Sequence, residues 1–257
     1  MRIFCIGHKA PEFSINAPYT HVSSTTFSGL VQLVIPDDSL GERFHGNCLS
    51  EYTQLMGLAE TLINSPREER IYICQYRKFL AFRQGCQQSN NVTYAYSSSK
   101  VEAESLFPSQ DELSALDRSF LLGPIGKTRS LAHHYATHHM IEDFVAFCIS
   151  LNSIEYFTEE RCKNFINCKF LIPAPSLGVC SIDVFLKHMK ILKEVFNHFS
   201  SNFLVSRSGD QRRVGGFLLE RLHSFLLYEE IYIKKTINAR HGFQIVISNS
   251  PIIRPTI

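Results

Sequence analysis

The sequence lacks any apolar run that approaches the roughly 20 residues needed to cross a bilayer. Its apolar segments, such as Phe217–Leu219 and Phe225–Tyr228, are far shorter, so no transmembrane helix is predicted. The apolar stretch after Met1 is also too short, and too soon interrupted at Gly7 and His8, to act as a secretory signal. We therefore expect a cytoplasmic protein.

Charge is scarce and balanced. Charged residues make up 19% of the chain, and 26 basic residues against 24 acidic ones leave a net charge of only +2. Duplex nucleic acid needs a concentrated basic surface, so no nucleic-acid partner is expected. The hydrophobic share of 44% is that of an ordinary globular protein, and 257 residues suit one large domain, predicted over residues 1–257.

Several motifs that mark common enzyme classes are missing. There is no Gly-x-Gly-x-x-Gly, no phosphate loop ending in Gly-Lys-Ser/Thr and no Gly-x-Ser-x-Gly elbow, which removes the main support for dinucleotide enzymes, phosphate-loop NTPases and α/β-hydrolases. No Cys-x-x-Cys pair occurs among the eight cysteines, so neither a zinc knuckle nor a thioredoxin-like site is supported. No repeat of 20 to 50 residues is apparent, which excludes a solenoid.

What the sequence does contain is an alternation of strand-like and helix-like segments. Arg2–Gly7 is apolar, β-prone and followed by a loop, and Phe27–Ile35 is a second predicted strand. Apolar residues recur at helical spacing from Ser50, and Ile71–Cys74 is another short buried strand. This order predicts an α/β fold with a mostly parallel central sheet flanked by helices, in which ligands bind at the carboxyl ends of the strands.

The same apolar patterns predict the helices and strands of the second half of the chain. Helices are predicted over residues 130–151, 158–166, 181–199 and 211–228, and strands over 169–172, 231–234 and 243–247. Residues 84–100 are polar, and we interpret them as a mobile surface loop that could close over a substrate.

The most informative stretch runs from Gly209 to Leu222. It combines acids, an amide, arginines and a glycine pair at the start of an otherwise apolar helix: Asp210, Gln211, Arg212, Arg213, Gly215, Gly216, Glu220 and Arg221. Helix N-termini attract anions, and arginine offers paired planar donors to phosphate, so a diphosphate could bind here. The residues alone leave open the alternative that Asp210 is only an N-cap and that Glu220 and Arg221 are solvated.

Two loops after predicted strands carry further polar residues. His8 and Lys9 follow the first strand, and Gln75, Tyr76, Arg77 and Lys78 follow the strand over residues 71–74. The cations could contact a pyrophosphate and the tyrosine could stack on a base or sugar. The alternative for the second loop is an ordinary basic turn.

A histidine-rich helix raises the question of a metal. His134, His138 and Glu142 are spaced four residues apart on one predicted helical face, which is a geometry that can bind zinc. Tyr135 stands where metalloproteases have their glutamate, and histidines at this spacing are frequent without a metal. A zinc hydrolase is therefore the least favoured of the hypotheses.

Taken in order, these segments resemble a bacterial capsular polysaccharide and lipopolysaccharide O-antigen biosynthesis family, formerly a domain of unknown function and now regarded as glycosyltransferases. The opening His-Lys-Pro segment is matched by His8 to Pro11, the Glu-Leu-Thr segment by Glu51 to Thr53, and Cys-His-Tyr-Arg-Arg-Tyr-Phe by Cys74 to Phe79. The family's helix that carries Tyr, His and Asp is matched by Tyr135, His139 and Asp143. Its Gln-x-Arg-x-x-Gly-Phe-x-x-Glu-Arg-Leu segment is matched by Gln211, Arg213, Gly216, Phe217, Glu220, Arg221 and Leu222. The matches span roughly residues 3–232.

The resemblance implies a GT-A-like (Rossmann-type) fold and a glycosyltransferase. The implied donor is a nucleotide sugar, with UDP-galactose as the first guess. The implied acceptor is a growing surface glycan, free or lipid-linked. Peripheral association of the protein with the inner face of the cytoplasmic membrane is a further option. We expect catalysis from Asp210, Gln211 and Glu220, donor binding from His8, Lys9, Gln75, Tyr76, Arg77, Arg213 and Arg221, and acceptor binding or support of the site from Glu51, Tyr135, His139 and Asp143.

The chain departs from the family pattern at three places. Gln75 replaces the family's histidine, so hydrogen bonding survives there but proton transfer is in doubt. The family's tryptophans are absent, because this chain contains none. The Asp-x-Asp that commonly holds a divalent metal in GT-A enzymes is also absent, which leaves two options for neutralising the leaving diphosphate: a manganese or magnesium ion held otherwise, or the cations Lys9, Arg77 and Arg213.

The stereochemical course is not decided by the sequence. An inverting enzyme needs a base near the acceptor, whereas a retaining one can use a weaker group beside the donor, and we expect retention. The alternative function is a non-catalytic glycan-binding or assembly protein that has kept the fold, a hypothesis motivated by Gln75 and the missing Asp-x-Asp.

Overall fold

A computed structural model describes residues 1–36, 46–85, 87–88 and 95–247. Its strands are β1 (Arg2–Ile6), β2 (Thr20–Ser23), β3 (Gln32–Val34), β4 (Arg70–Gln75), β5 (Lys78–Ala81), β6 (Gln87–Gln88), β7 (Ala95–Ser98), β8 (Phe120–Leu122), β9 (Gly126–Lys127), β10 (Phe170–Leu171), β11 (Gly178–Ser181), β12 (Ala239–His241) and β13 (Phe243–Ile247). Its helices are α1 (Tyr52–Thr61), α2 (Lys100–Leu106), α3 (Gln110–Ser114), α4 (Leu131–Ala136), α5 (Ile141–Asn152), α6 (Glu159–Asn167), α7 (Ile182–Asn202) and α8 (Val214–Tyr228). Among the described residues, no helix is long and apolar enough to cross a membrane.

The central sheet is parallel where the predicted ligand loops lie. Strands β3, β2, β1 and β4 pair side by side in parallel, so that Phe4 faces Thr20 on one side and Ile73 on the other. Beyond β4 the sheet continues through antiparallel partners, β5 and β11, and parallel pairing returns between β13 and β7 and between β12 and β8. The carboxyl ends of β1 and β4 therefore meet at one edge of the sheet.

Alternation along the central strands gives the sheet two apolar faces. Phe4 of β1 and Ile73 of β4 belong to the core under α1, α5, α7 and α8, whereas Ile3 and Tyr72 belong to a second core that includes α2 and α3. Strands buried on both faces read as continuous apolar runs, and that is how β1 and β4 appear in the sequence. The predicted α/β class, with a central sheet flanked by helices, is thus confirmed.

Two predicted elements have a different structure. The helix predicted over 130–151 is divided, because α4 ends at Ala136 and the backbone at Met140 is extended before α5 begins. The strand predicted over 231–234 lies instead in a π-helical segment, Glu229–Ile233, that prolongs α8. Its two glutamates are buried against cations, Glu229 on Arg161 and Glu230 on Lys187, which favours the helical backbone over a strand.

Several elements were not predicted. Strand β2 was missed entirely, and the predicted strand at 27–35 shrinks to β3. The segment interpreted as a surface loop over 84–100 includes β7, which pairs with β13, and ends at the start of α2; residues 86 and 89–94 of that segment lie outside the described residues.

Candidate functional site

A cavity of about 570 Å³ opens at the carboxyl ends of β1 and β4. Its wall combines the two loops that follow these strands with the start of α1 and the first turns of α8. The lining residues are Ile6, Gly7, His8, Ser24, Ser50, Glu51, Gln54, Gln75, Tyr76, Arg77, Lys78, Ala174, Arg213, Gly216, Phe217 and Glu220. The volume is within the range of pockets that bind small molecules.

The strand side of the cavity is built around Tyr76. This residue sits in the tight turn between β4 and β5, and its backbone N–H donates to the carbonyl of Ile6, 3.1 Å away. The ring meets the His8 ring edge-on at 5.0 Å, and the Arg77 guanidinium lies 5.5 Å from its centroid. A Cβ at Gly7 would come within 2.8 Å of the Tyr76 ring, so glycine at position 7 allows the tyrosine to reach the cavity wall.

On the helix side, a glycine pair brings α8 close to the turn before α1. A Cβ at Gly216 would lie 2.7 Å from the Ser50 hydroxyl, and one at Gly215 would lie 2.5 Å from the Phe196 ring. Ser50 itself has φ of +53°, an unusual value for a residue other than glycine. The close approach lets Arg213 donate from Nε to Ser50 Oγ at 2.7 Å while its guanidinium lies 5.2 Å from the Phe217 ring.

Two carboxylates line the cavity in different surroundings. Glu51, at the start of α1, accepts a hydrogen bond on Oε1 from Gln75 Nε2 at 3.2 Å. Burial raises the pKa of Glu51, and the negative charge of Glu220 raises it further, against smaller opposing effects that include Lys78 and Arg213. Glu220, on α8, accepts from the backbone N–H of Ala174 on Oε1 at 3.2 Å and from Arg221 on Oε2 at 3.0 Å.

Arg221, of which donor binding was expected, is not among the lining residues of the cavity. Its side chain is only 6% exposed. Its Nη1 donates to Glu220 and to the Phe217 carbonyl, both at 3.0 Å, and Nη2 lies 3.3 Å from His134 Nδ1. The guanidinium also packs 5.6 Å from the Tyr135 ring centroid. It therefore supports the site from behind Glu220 rather than facing a ligand.

Tyr135, His139 and Asp143 also lie behind the cavity wall. His139 stacks on Phe217, with ring centroids 4.0 Å apart, and Tyr135 packs against His139 at 4.8 Å. Burial, with the nearby charge of Arg221, lowers the pKa of His139 to about 4. Asp143 is buried and pairs with Arg207, at 2.8 Å from Nη2. These three residues fit a supporting role rather than contact with an acceptor.

Asp210, Gln211 and Lys9 are not among the lining residues. Asp210 is exposed in the 3₁₀ turn Gly209–Arg213, and Gln211 is turned toward the end of α4, where its Nε2 donates to the His138 carbonyl at 3.4 Å. Lys9 is exposed in the loop after His8. The catalytic roles expected for Asp210 and Gln211 are therefore not supported by their positions, whereas Glu220 does reach the cavity.

The zinc arrangement expected of the histidine helix does not form. Helix α4 ends before His138, so Glu142 lies in a different helix from His134. The rings of His134 and His138 remain close, at 5.1 Å. No group of three histidine, cysteine, aspartate or glutamate side chains suited to a metal occurs within the described parts of the chain.

Sequence reasoning missed part of the cavity. Several lining residues were assigned no site role, among them Ser24, Ser50, Gln54 and Ala174. Gly216 and Phe217 stood in the quoted motifs but were given no role either. Ala174 is the hardest to foresee, because it contributes a backbone N–H from a residue with φ of +46°, and its only sequence signal is the flanking Pro173 and Pro175.

Comparison with known proteins identifies the fold. No family model and no curated protein sequence matches this chain. Among solved structures, it is similar to the apo structure of WbbM, a bifunctional glycosyltransferase, with a TM-score of 0.75 at 16% sequence identity. The two chains share a fold. The similarity covers 98% of this chain and 47% of the WbbM chain, so this chain spans about half the length of that structure.

Proposed function

We propose that this protein is a glycosyltransferase that moves a hexosyl residue from a nucleotide sugar to a growing glycan. The observation that carries the proposal is the cavity at the carboxyl ends of β1 and β4, where Arg77, Lys78 and Arg213 gather around the carboxylates of Glu51 and Glu220. Glycosyl transfer needs cations for the departing diphosphate and carboxylates for the sugar or acceptor hydroxyls. The fold shared with a glycosyltransferase supports the same reading.

For the donor we propose a UDP-sugar, with galactose first. Arg77 and Lys78 follow strand β4, and Arg213 precedes α8, so the diphosphate would lie between the two sides of the cavity. Arginine binds phosphate oxygens through paired donors, which suits this position. The Tyr76 ring, held by His8 and Arg77, offers a face for a base or sugar.

The described residues offer little support for a divalent metal ion at this site. The chain has no Asp-x-Asp, and the described residues contain no group of three suitable ligands. Of the two cavity carboxylates, Glu220 has both oxygens occupied by Ala174 and Arg221. We therefore propose that side-chain cations, rather than a manganese or magnesium ion, stabilise the leaving diphosphate.

The proposed acceptor is a growing capsular polysaccharide or lipopolysaccharide O-antigen glycan, free or lipid-linked. Such an acceptor would place the protein in the cytoplasm, at the inner face of the cytoplasmic membrane. The resemblance of the sequence motifs supports this class of acceptor.

The first test is thermal stabilisation across a panel of nucleotides and nucleotide sugars, with and without manganese. A ligand that binds the folded state raises the melting temperature by mass action. We expect a shift with one UDP-sugar that manganese does not change. A shift that requires manganese would overturn the proposed use of cations, and no shift with any nucleotide would overturn the function.

A matched pair of arginines sharpens this test. Arg213→Ala removes a cavity cation, and we expect it to weaken UDP-sugar binding about tenfold or more, in line with the loss of a charge-assisted contact. Arg212→Ala removes an exposed neighbour whose Nε donates to the Gly209 carbonyl, and we expect unchanged binding. Equal effects of the two substitutions would contradict the assignment of Arg213.

The alternative is a non-catalytic glycan-binding or assembly protein. It is motivated by Gln75, which cannot exchange a proton, in the position where related sequences have histidine. It predicts that the purified protein binds a nucleotide sugar without hydrolysing or transferring it. Transfer of labelled sugar from the stabilising donor to an acceptor glycan separates the two functions.

A further inference from the structure

The two cavity carboxylates are held by different donors. Glu220 is fixed on both oxygens, by the Ala174 N–H at 3.2 Å and by the buried Arg221 at 3.0 Å. An acceptor hydroxyl would have to share these oxygens with the donors that already hold them. Glu220 is therefore the less available of the two carboxylates to an acceptor hydroxyl.

Glu51 is held differently. Its side chain accepts a hydrogen bond on Oε1 from a neutral amide, that of Gln75, at 3.2 Å. It starts α1 directly after Ser50, whose backbone has a φ of +53° and lies against Gly216. Burial and the charge of Glu220 raise the pKa of Glu51, which makes its carboxylate a stronger base than an ordinary glutamate.

The side chain at position 75 adds an independent argument. Glutamine can donate and accept hydrogen bonds but cannot carry a proton at neutral pH. Because Gln75 lies in the cavity and donates to Glu51, it can orient a proton acceptor without being one. A histidine at position 75 could transfer a proton, whereas Gln75 cannot. The nearby group that can accept the proton is the carboxylate of Glu51, to which Gln75 donates a hydrogen bond.

We infer that Glu51 is the general base that takes the proton of the acceptor hydroxyl, that Gln75 positions its carboxylate, and that Glu220 stays bound to Ala174 and Arg221 at the cavity wall. This inference rests on the proposed glycosyltransferase function and assigns its proton acceptor. From the sequence, contact with the sugar or the acceptor hydroxyl was expected of Asp210, Gln211 or Glu220. Glu51 had been expected only to bind the acceptor or to support the site.

The step is a single displacement. The acceptor oxygen forms a bond to the anomeric carbon as its proton passes to Glu51, and the bond from that carbon to the donor phosphate breaks, with its electron pair leaving on the nucleoside diphosphate. Arg213, Arg77 and Lys78 face the charge that develops on the diphosphate. Glu51 then releases its proton to solvent. Attack from the face opposite the leaving group inverts the anomeric centre, so this proposal replaces the retaining course expected from the sequence.

The pH dependence expected of Glu51 follows from the charged and titratable groups that line the cavity with it. They are Glu220 on α8, Arg213 before α8, Lys78 on β5, and His8, Tyr76 and Arg77 from the two loops. Glu220 favours protonation of Glu51, and the cations oppose it. A bound diphosphate would add negative charge and favour protonation further, so the acid limb of kcat should lie at higher pH than that of kcat/KM.

The decisive variant is Glu51→Gln, which keeps the shape and the hydrogen-bonding capacity of the side chain. We expect UDP-sugar binding, measured by thermal shift, to stay within about threefold of the wild type, while the transfer rate falls by about 10²-fold to 10⁴-fold. Glu60→Gln is the matched control, because Glu60 lies on the same helix and pairs with Lys193 at the surface. It should keep full transfer activity.

The positioning role of Gln75 is tested by Gln75→Leu and Gln75→His. Loss of the amide donor should lower kcat and move the acid limb of its pH profile upward, because the ionised form of Glu51 loses a hydrogen bond. A histidine donor at this position should restore part of the rate. A merely structural role for Gln75 would lower activity without moving the limb.

The outcomes separate the inference from the function on which it rests. No nucleotide sugar bound or turned over by the wild type would overturn the proposed function. Transfer by the wild type with a fully active Glu51→Gln variant, or a product with retained anomeric configuration by NMR, would overturn the inference alone. Loss of turnover with retained binding and an inverted product would support both.

Discussion

The buried guanidinium of Arg221 holds the cavity carboxylate of Glu220, with Nη1 3.0 Å from Oε2. The two residues are adjacent on α8, yet one faces the cavity and the other is enclosed by Tyr135, His134 and the Phe217 carbonyl. A charge that is enclosed in this way needs its partners, because an unpaired buried ion costs several kcal/mol. The site and the packing behind it are therefore coupled through this pair.

Arg221→Lys should damage both stability and activity. A lysine keeps the charge but cannot reach Glu220, Phe217 and His134 at once, because it has a single nitrogen. We expect a loss of about 2–3 kcal/mol in the free energy of unfolding, measured by urea titration, together with reduced transfer. Arg212→Lys, at the exposed neighbour of Arg213, should change the free energy of unfolding by less than about 0.5 kcal/mol. Equal effects of the two substitutions would contradict this account.

Gly216→Ala should separate α8 from the turn before α1. Alanine normally stabilises a helix over glycine by about 1 kcal/mol. Here its Cβ would lie 2.7 Å from Ser50 Oγ and 3.1 Å from the Leu49 carbonyl, so we expect a net loss of about 1–3 kcal/mol. Because the same contact positions Arg213, UDP-sugar affinity should fall as well. The control is Glu194→Ala, on the exposed face of α7, which should leave the free energy of unfolding and the UDP-sugar affinity unchanged. A Gly216→Ala variant that is more stable than the wild type would contradict the close approach of α8 to Ser50.

Two buried histidines predict a loss of stability in mild acid. Burial lowers the pKa of His188 to about 3, and that of His223 also lies well below its usual value. The unfolded chain therefore takes up protons near pH 6.5 that the folded chain does not, so the free energy of unfolding falls as the pH drops from about 7 toward 3.

The test is the slope of this free energy between pH 6 and 5. His188→Leu should flatten it by about 1.4 kcal/mol per pH unit, because one titrating group is removed. Met189→Leu, on the same helix, alters packing without removing a titratable group and serves as the control. An unchanged slope in His188→Leu would show that His188 does not contribute.

The ion pair between Arg161 and Glu229 should stabilise the fold more than a neighbouring surface pair. Glu229 is 7% exposed, and Arg161 donates to it from Nε at 3.0 Å while packing 3.9 Å from the Tyr156 ring centroid. Arg161→Met removes the main partner of the Glu229 carboxylate, and we expect the free energy of unfolding to fall by about 3 kcal/mol. Lys163→Met breaks the exposed pair with Glu159 on the same helix, and we expect the free energy of unfolding to fall by less than about 0.5 kcal/mol. Comparable losses in urea titrations would refute the distinction.

The elements that were predicted correctly show a clear pattern of apolar residues within their own segments. The apolar runs of β1, β4 and β13, and the helical spacing of α1 and α7, were assigned correctly because one face or both faces of each element are buried. The divided helix was misread, because the break between Ala136 and Ile141 carries no proline or glycine. The π-helical segment was misread because Ile231 and Ile233 alternate with polar residues as in a strand.

From the sequence alone came the α/β class, the loops after β1 and β4 as candidate ligand loops, and half of the residues that line the cavity there, because these follow from local periodicity and from residue chemistry. Only the tertiary structure decided which acidic groups face the cavity. Asp210, Glu220 and Arg221 lie within twelve residues of one another, yet Asp210 is exposed, Glu220 lines the cavity and Arg221 is buried. Glu220 is held by Ala174, and Arg221 by His134 and Tyr135 of α4. These partners are distant in the chain, and no local pattern encodes the contacts.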